Sequence, residues 1–123
     1  KFLGDGYYSR KLGWEPTSGS LSNIVIPPGT RIPEEIIRDL KRCIVITDYI
    51  GGNSNSTTGD FSVGIIGKLY ENGSFVKNVA EMNIADNHMN FWNRLVEVAN
   101  DPWIYSQGRF PSLVIDDVVV AGI

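Results

Sequence analysis

The sequence predicts an α+β fold, mainly an antiparallel β-sheet with two amphipathic helices. Three observations lead to this prediction. Asn72-Gly73 lies between two apolar runs, which is the strongest short signal for a β-hairpin. Two segments carry apolar residues at three- and four-residue steps, the spacing of a buried helical stripe. The other apolar runs follow one another without the strand–helix alternation that a parallel sheet requires.

Length and composition predict one soluble globular domain over residues 1–123. The content of 42% hydrophobic and 20% charged residues is ordinary for such a domain. A net charge of −3 disfavours direct binding to nucleic acid, which needs a basic surface. No apolar run approaches the roughly 18 residues of a membrane span, and the start has no signal-peptide pattern. The single cysteine cannot form an internal disulfide, which favours the reducing cytoplasm.

The first third of the chain predicts a strand, a helix and a second strand. The first strand spans residues 21–26. Pro33 and the acidic pair after it start a helix over residues 33–42, since proline and acidic side chains suit the first turn. Residues 44–50, rich in β-branched and aromatic side chains, form the second strand. The helical stripe, which makes Cys43 a buried and inert thiol, is Ile36, Ile37, Leu40, Cys43 and Ile44.

Residues 51–60 contain no apolar side chain and predict a long polar loop. Loops of this length without secondary structure of their own are usually functional or disordered. Because these residues cannot bury themselves, nothing local offsets the entropy cost of ordering them. We therefore expect the loop to be mobile until a partner or a peptide fixes it.

The second half of the chain predicts a hairpin, a helix and further strands. The helix begins at Asp86 or Asn87, either of which can cap it through a side-chain oxygen. Its apolar stripe comprises Met89, Trp92, Leu95, Val96 and Ala99. The predicted elements are a hairpin of residues 61–70 and 75–80, a strand at 82–85, the helix at 88–99, a loop at 103–111, and residues 113–115 and 118–121 as one long strand or a bent pair.

The chain has one histidine and one cysteine, His88 and Cys43, which lie on different predicted elements. A catalytic zinc site needs three protein ligands, and no acidic residue stands at ligand spacing around either residue. A structural role for His88 in the first turn of its helix is therefore favoured. A Ser-His-Asp arrangement with His88 as base is formally possible, but no G-x-S-x-G elbow or other nucleophile signature is present.

Gly64 and Gly67 lie inside a strand pattern, where glycine marks a bulge or the close approach of another backbone. An extended peptide can add to the edge of such a strand and continue the sheet. The sequence thus predicts that peptide binds by strand addition near residues 58–67.

A series of short motifs runs along the chain, and T-G-D-F-S followed by E-N-G is the most specific pair. The motifs are YSRKLG at residues 8–13, PG at 28–29 before the acidic helix start, TGDFS-x-G at 58–64, ENG at 71–73, EMNIA at 81–85, ND at 100–101 and PSLVID at 111–116. In order and spacing they resemble the C-terminal domain of the TldD/PmbA family, also called the modulator of DNA gyrase family.

This resemblance implies a cytoplasmic peptidase assembly of two or more subunits. One paralogue, TldD-like, carries a zinc-binding H-E-x-x-x-H helix and a cysteine ligand shortly after the position that matches Asn100-Asp101. The other paralogue, PmbA or TldE, lacks the zinc motif. Residues 102–111 contain no cysteine, so the chain resembles the PmbA side. We expect no zinc and no catalytic residue in this chain, with zinc held by a partner chain or an upstream domain.

The resemblance also implies a peptide substrate and a TldD-like partner. Because the chain starts at Lys1, we expect it to be the C-terminal domain of a longer protein. Two alternatives stay open: the domain belongs to an active zinc metallopeptidase whose H-E-x-x-x-H helix lies upstream, or it is a stand-alone interaction module. The predicted peptide-binding residues are Thr58, Gly59, Asp60, Phe61, Ser62 and Gly64.

Overall fold

The computed structural model describes residues 24–106 and 108–122. Residues 21–23 of the first predicted strand lie outside this part of the chain. The elements, in chain order, are β1 (Ile24–Val25), α1 (Pro33–Asp39), β2 (Arg42–Ser54), β3 (Asp60–Glu71), β4 (Ser74–Asn87), α2 (His88–Asn93), β5 (Leu95–Val98), β6 (Gly108–Arg109), β7 (Leu113–Ile115) and β8 (Val120–Ala121).

The predicted α+β class is confirmed, with antiparallel sheet as the main component. Strands β2, β3, β4 and β8 form a four-stranded antiparallel sheet in that order. Two further pairs flank it, β5 with β7 antiparallel and β1 with β6 parallel. Neither helix of the described ranges is long and apolar enough to cross a membrane.

The predicted hairpin joins β3 to β4 through Asn72 and Gly73. Both residues have positive φ, 50° and 80°, as a two-residue turn of type I′ requires. The predicted separate strand at residues 82–85 is the second half of β4. A bulge joins the two halves: Glu81 takes a φ of 56°, and two residues of β4 stand opposite one of β3 between the pairs Ile65–Met82 and Gly67–Val79.

The core lies on one face of the central sheet. Alternate residues of β3 point to that face, among them Ile65 and Leu69, which are 0% and 3% exposed. Residues packing with them come from both neighbouring strands, from α2 and from the C-terminal segment. The buried cluster consists of Ile65, Leu69, Val79, Met82 and Ile84, with Ile44, Ile46, Phe61, Val63, Phe91, Val118 and Val120 partly buried against it.

The first helix is confirmed but ends at Asp39 rather than residue 42. Leu40 is already extended, with φ −88° and ψ 134°. Cys43 and Ile44, predicted on the helical stripe, instead belong to β2 and pair with Tyr70 and Leu69. A short run of apolar residues is compatible with either a helix or a strand. Here the segment forms a strand because it pairs with β3.

The second helix is much shorter than predicted, and its amphipathic character is not confirmed. It ends at Asn93, none of its residues is buried, and residues 95–98 form β5 instead of two further helical turns. Arg94 leaves the helical conformation with ψ 11°, and β5 then pairs with β7. Val96 and Val98 are β-branched and favour the strand once a partner is present.

The last predicted strand, left open as one long strand or a bent pair, is two strands in different sheets. Leu113–Ile115 pairs with β5, whereas Val120–Ala121 pairs with β4. Asp117, at φ 50°, turns the chain between them. The predicted loop at residues 103–111 likewise contains a short strand, β6, which pairs with β1.

Arg31 links the segment before α1 to β5 through an ion pair with Glu97. Its guanidinium donates to both carboxylate oxygens of Glu97, at 3.1 Å from Nε and 2.7 Å from Nη2, and also binds Asp39 at the end of α1. Two-point contacts between a guanidinium and a carboxylate fix geometry as well as charge. The backbone bond from Asn100 N to Arg31 O, 2.9 Å, closes the same junction.

The turn at Gly73 packs against the end of α1, which gives a test of the fold. A Cβ on Gly73 would lie 2.9 Å from Cα of Arg38, while Gly51, also at positive φ (61°), has nothing within 4 Å of such a Cβ. Gly51→Ala should cost about 1 kcal/mol of unfolding free energy from backbone strain alone, and Gly73→Ala about 2–3 kcal/mol because the clash adds to it. Urea denaturation measures both, and equal losses would contradict the packing of the turn on α1.

Candidate functional site

The segment predicted as a ten-residue loop, residues 51–60, contains the last residues of β2, a short connection and the first residue of β3. We call this segment the hairpin end. Strand β2 continues to Ser54 and β3 starts at Asp60, so only residues 55–59 lie outside strands. Gly51 and Gly52, with φ 61° and 144°, form a bulge, after which Asn53 and Ser54 resume pairing. The prediction of a loop over residues 51–60 is therefore wrong, because two glycines let a polar segment stay in the sheet without apolar side chains.

Asn55 organises the five-residue connection. Its side-chain oxygen accepts the backbone N–H groups of Thr57 and Thr58 at 2.9 and 3.2 Å. Its own backbone donates to Asp60 O at 2.8 Å and accepts from Gly59 at 2.7 Å. Local hydrogen bonds of this kind are the usual way in which asparagine stabilises turns. The assumption that nothing local offsets the ordering of the loop is wrong, while its mobility stays a prediction.

Asn87 ties this connection to the start of α2. Its amide nitrogen donates to Thr58 O and to the Asp60 carboxylate, both at 2.9 Å. Its amide oxygen accepts from Met89 N at 3.0 Å, which is the N-cap bond predicted from the sequence. The Asn87 side chain thus caps α2 and also hydrogen-bonds to the connection between β2 and β3.

His88 follows Asn87 and packs under the same hairpin end. Its backbone N–H donates to Gly59 O at 2.8 Å, and its ring stacks on Phe61 with centroids 4.7 Å apart and planes inclined by 27°. The ring nitrogens lie 3.0 Å from Ser54 Oγ (Nε2) and 3.3 Å from Trp92 Nε1 (Nδ1). The structural role predicted for His88 agrees with these contacts.

The contacts of the ring assign its tautomer. An indole N–H only donates, so Nδ1 of a neutral His88 accepts from Trp92 and the ring proton is on Nε2. Nε2 then donates to Ser54 Oγ and cannot take the proton of that hydroxyl. A serine nucleophile needs the opposite arrangement, with a histidine nitrogen free to accept. In this tautomer, His88 donates to Ser54 and does not act as a base toward it.

The six predicted peptide-binding residues lie at one end of the central sheet but divide between its faces. Thr58, Gly59 and Asp60 belong to the fastened hairpin end, and Phe61 points to the core face beneath His88. Ser62 and Gly64 face the other side, where Ser62 Oγ donates to Asn83 at 3.2 Å. The sequence did not indicate that Asn87 and His88 would join the group, since pairing of β3 with β4 is what places them there.

Strand addition along β3 is ruled out by the topology. Residues of β3 pair with β2 on one side and β4 on the other, so no edge is open to a peptide. The close backbone approach predicted at Gly64 and Gly67 comes from β2: added Cβ atoms would lie 2.6 Å from Ile50 O and 2.4 Å from Val45 O. Over the described ranges, β2 is one of the two terminal strands of this sheet, and β8 is the other.

Cys43 lies half-buried in β2, and burial raises the pKa of its thiol. A raised pKa disfavours the thiolate, which is the form that binds metals and attacks substrates. Within residues 24–106 and 108–122, no three His, Cys, Asp or Glu side chains come together in a group that could hold a metal ion.

Residues 102–111, where the sequence lacks a cysteine, present large apolar side chains to solvent. Trp103, Ile104 and Tyr105 are 62%, 55% and 80% exposed, and the two aromatic rings meet edge-on at 5.2 Å. Asp101 fastens the base of the segment by accepting from Ser112 N and Oγ at 2.7 and 2.6 Å. The exposed residues are thus held on a defined base.

A family of metallopeptidase-related proteins has a C-terminal domain that matches this chain. The profile of the PmbA/TldA metallopeptidase C-terminal domain matches residues 1–122, and the chain belongs to this family. It is 30% identical over 124 residues to the metalloprotease PmbA of Escherichia coli O157:H7, covering 99% of this chain and 28% of that protein. The chain thus spans just over a quarter of the length of that relative.

Two crystal structures have the same fold. A protein of Bacteroides thetaiotaomicron named as a modulator of DNA gyrase superposes with a TM-score of 0.81 at 41% identity, over 91% of this chain and 26% of that one. TldE of Thermococcus kodakarensis superposes with a TM-score of 0.72 at 25% identity, over 80% of this chain and 23% of that one.

The bond between Asn87 and Asp60 predicts a pH-dependent effect. Hydrogen bonds from Asn87 first, and from Thr58 second, hold the pKa of Asp60 below its ordinary value. A carboxylate whose pKa is lower in the folded than in the unfolded chain stabilises the fold at pH values above its unfolded-state pKa. This stabilisation is lost as the pH falls through the pKa of the folded state. Asn87→Asp keeps the cap oxygen, removes the donor and adds a like charge, so the pKa of Asp60 should rise.

Carboxyl carbon shifts of Asp60 in an NMR titration measure this change. Thr58→Ala is the matched control and should raise the pKa of Asp60 by less, because Thr58 is the weaker of the two causes. If Asn87→Asp leaves the titration of Asp60 unchanged, the Asn87–Asp60 bond does not form in solution.

Proposed function

We propose that this chain is the zinc-free, non-catalytic domain of a cytoplasmic TldD/PmbA-type metallopeptidase assembly, where it shapes the chamber in which a zinc-bearing paralogue cleaves peptides. Membership in the family carries the proposal. Relatives named PmbA and TldE, and the absence of cysteine from residues 102–111, support a place on the zinc-free side.

The chemistry of the described side chains supports a non-catalytic role. The one histidine uses both ring nitrogens in contacts with Ser54 and Trp92. The one cysteine is half-buried in β2, and burial raises the pKa of its thiol, which disfavours the thiolate form that binds zinc. Among the described residues, neither His88 nor Cys43 belongs to a group of three His, Cys, Asp or Glu side chains that could hold a metal ion.

The hairpin end between β2 and β3 is the surface that we assign to peptide contact. Thr58 and Asp60 are exposed there, on a connection held by Asn55 and Asn87. The adjacent part of β2 exposes Tyr49 and Ile50 by 63% and 48%. A terminal strand offers backbone donors and acceptors, so an extended peptide would pair with β2 and place its side chains beside this hairpin end.

An alternative has its own supporting observation. The relative from Escherichia coli is named a metalloprotease, and about three quarters of its length has no counterpart in this chain. The domain would then belong to an active zinc peptidase whose ligands lie in another part of the polypeptide. The two proposals differ in whether activity requires a second, zinc-bearing protein.

Zinc content and reconstitution separate these proposals. The full-length protein that carries this domain should hold no stoichiometric zinc by elemental analysis, and its peptidase activity should arise only after mixing with an H-E-x-x-x-H paralogue. Cys43→Ser should leave both results unchanged, because Cys43 lies in no group of possible metal ligands among the described residues. One tightly held zinc per chain, or loss of activity in Cys43→Ser, would overturn the zinc-free assignment.

Hydrogen exchange tests the assigned peptide surface. Amides of residues 51–60 should exchange at least about tenfold more slowly when the assembly holds a peptide, which corresponds to about 1.4 kcal/mol of added protection. The turn at Asn72-Gly73 lies at the opposite end of β3 and is the internal control, with no change expected. Equal exchange of residues 51–60 with and without peptide would show that the hairpin end is only a connector.

A further inference from the structure

The contact between His88 and Trp92 depends on the protonation state of the imidazole. Trp92 Nε1 donates to Nδ1 of His88 at 3.3 Å, across one turn of α2. Histidine side chains change charge between about pH 5 and 8, and the charged imidazole carries a proton on both nitrogens. A protonated Nδ1 cannot accept, and two N–H groups would then face each other.

The other contacts of the ring survive protonation. Nε2 carries its proton in both forms, so the bond to Ser54 Oγ at 3.0 Å is kept. The stacked face of Phe61, 4.7 Å away, also attracts a cation. The ring is therefore held in place while its bond to Trp92 is lost.

The charged groups on the surrounding elements are compatible with a cationic ring. Asp60 lies on β3 next to Phe61, and Asp86 lies on β4, where it is ion-paired with Arg94. The end of β2 and its connection, residues 53–59, carry no charged side chain, and neither do the other residues of α2. Within the described part of the chain, Asp60 is therefore the one carboxylate of residues 53–61 and 86–94 that has no ion-pair partner, and these stretches hold no unpaired cation.

We propose that the His88–Trp92 contact is a pH-sensitive latch, in which protonation of His88 at Nδ1 releases the Trp92 side chain to solvent. Trp92 is 49% exposed with the latch closed, and its neighbour Met89 is 72% exposed. Release would enlarge the apolar surface beside the hairpin end without unfolding α2, whose N-cap bond from Met89 N to Asn87 is independent of the ring.

Trp92 can be observed alone, because the chain has only three tryptophans. In the variant Trp14→Phe/Trp103→Phe, quenching of Trp92 fluorescence by acrylamide should rise about twofold between pH 8 and pH 5, since its side chain is about half exposed when the latch is closed. Quenching by an added solute reports accessibility, which a change of intensity alone does not. His88→Gln in the same background has no titrating ring and should show no pH dependence.

Imidazole nitrogen shifts in the parent chain give a second measurement that needs no substitution. At pH 8 they should show an unprotonated Nδ1 and a protonated Nε2. The latch is overturned if acrylamide quenching of Trp14→Phe/Trp103→Phe does not change with pH, if the pH dependence remains in His88→Gln in that background, or if the proton at pH 8 is on Nδ1.

Discussion

One-sided burial of β3 is the interaction on which the rest of the structure depends. Ile65 and Leu69 are almost completely buried, whereas Ile66 and Lys68 between them face the other side of the sheet. A shift of one residue in the pairing would move the whole apolar set to the wrong face, so burial fixes the register with both neighbouring strands. Truncating a residue such as Ile65 to alanine would cost about 2–5 kcal/mol, a large part of the stability of one domain.

This register decides which side chains meet at the end of the sheet. Asp60 stands opposite Asn87, and Phe61 stands opposite Asp86, because β3 and β4 pair without interruption over that stretch. Asn87 is thereby placed where its amide can donate to the hairpin end while its oxygen caps α2. An aspartate would supply only the acceptor, and an aliphatic residue neither group, so the amide is what joins strand, helix and connection.

The sequence predicted those elements whose signals are local. Asn72-Gly73 defines its own turn through positive φ, and the cap at Asn87 needs only the next two residues. Predictions failed where pairing between distant segments decides the structure. Leu95 and Val96 fit a helical stripe in the sequence, but their segment forms β5 because it pairs with β7. Gly51 and Gly52 form a bulge that lets the polar segment after them continue the pairing with β3. Of the site, the hairpin end could be located, but its contacts with Asn87 and His88 could not, because they depend on the β3–β4 register.

His88 and Cys43, whose residue types commonly bind metals or take part in catalysis, make packing contacts in this domain. The imidazole of His88 contacts Phe61, Ser54 and Trp92, and the thiol of Cys43 is half-buried in β2. An imidazole that donates to a serine and accepts from an indole has no nitrogen left for a metal or a substrate proton. Over the described residues, the exposed features include the strand β2 at one end of the sheet, the hairpin end, and the apolar residues Trp103, Ile104 and Tyr105. Under the proposed function, such a domain would position a bound chain, and the groups that cleave bonds would come from another part of the assembly.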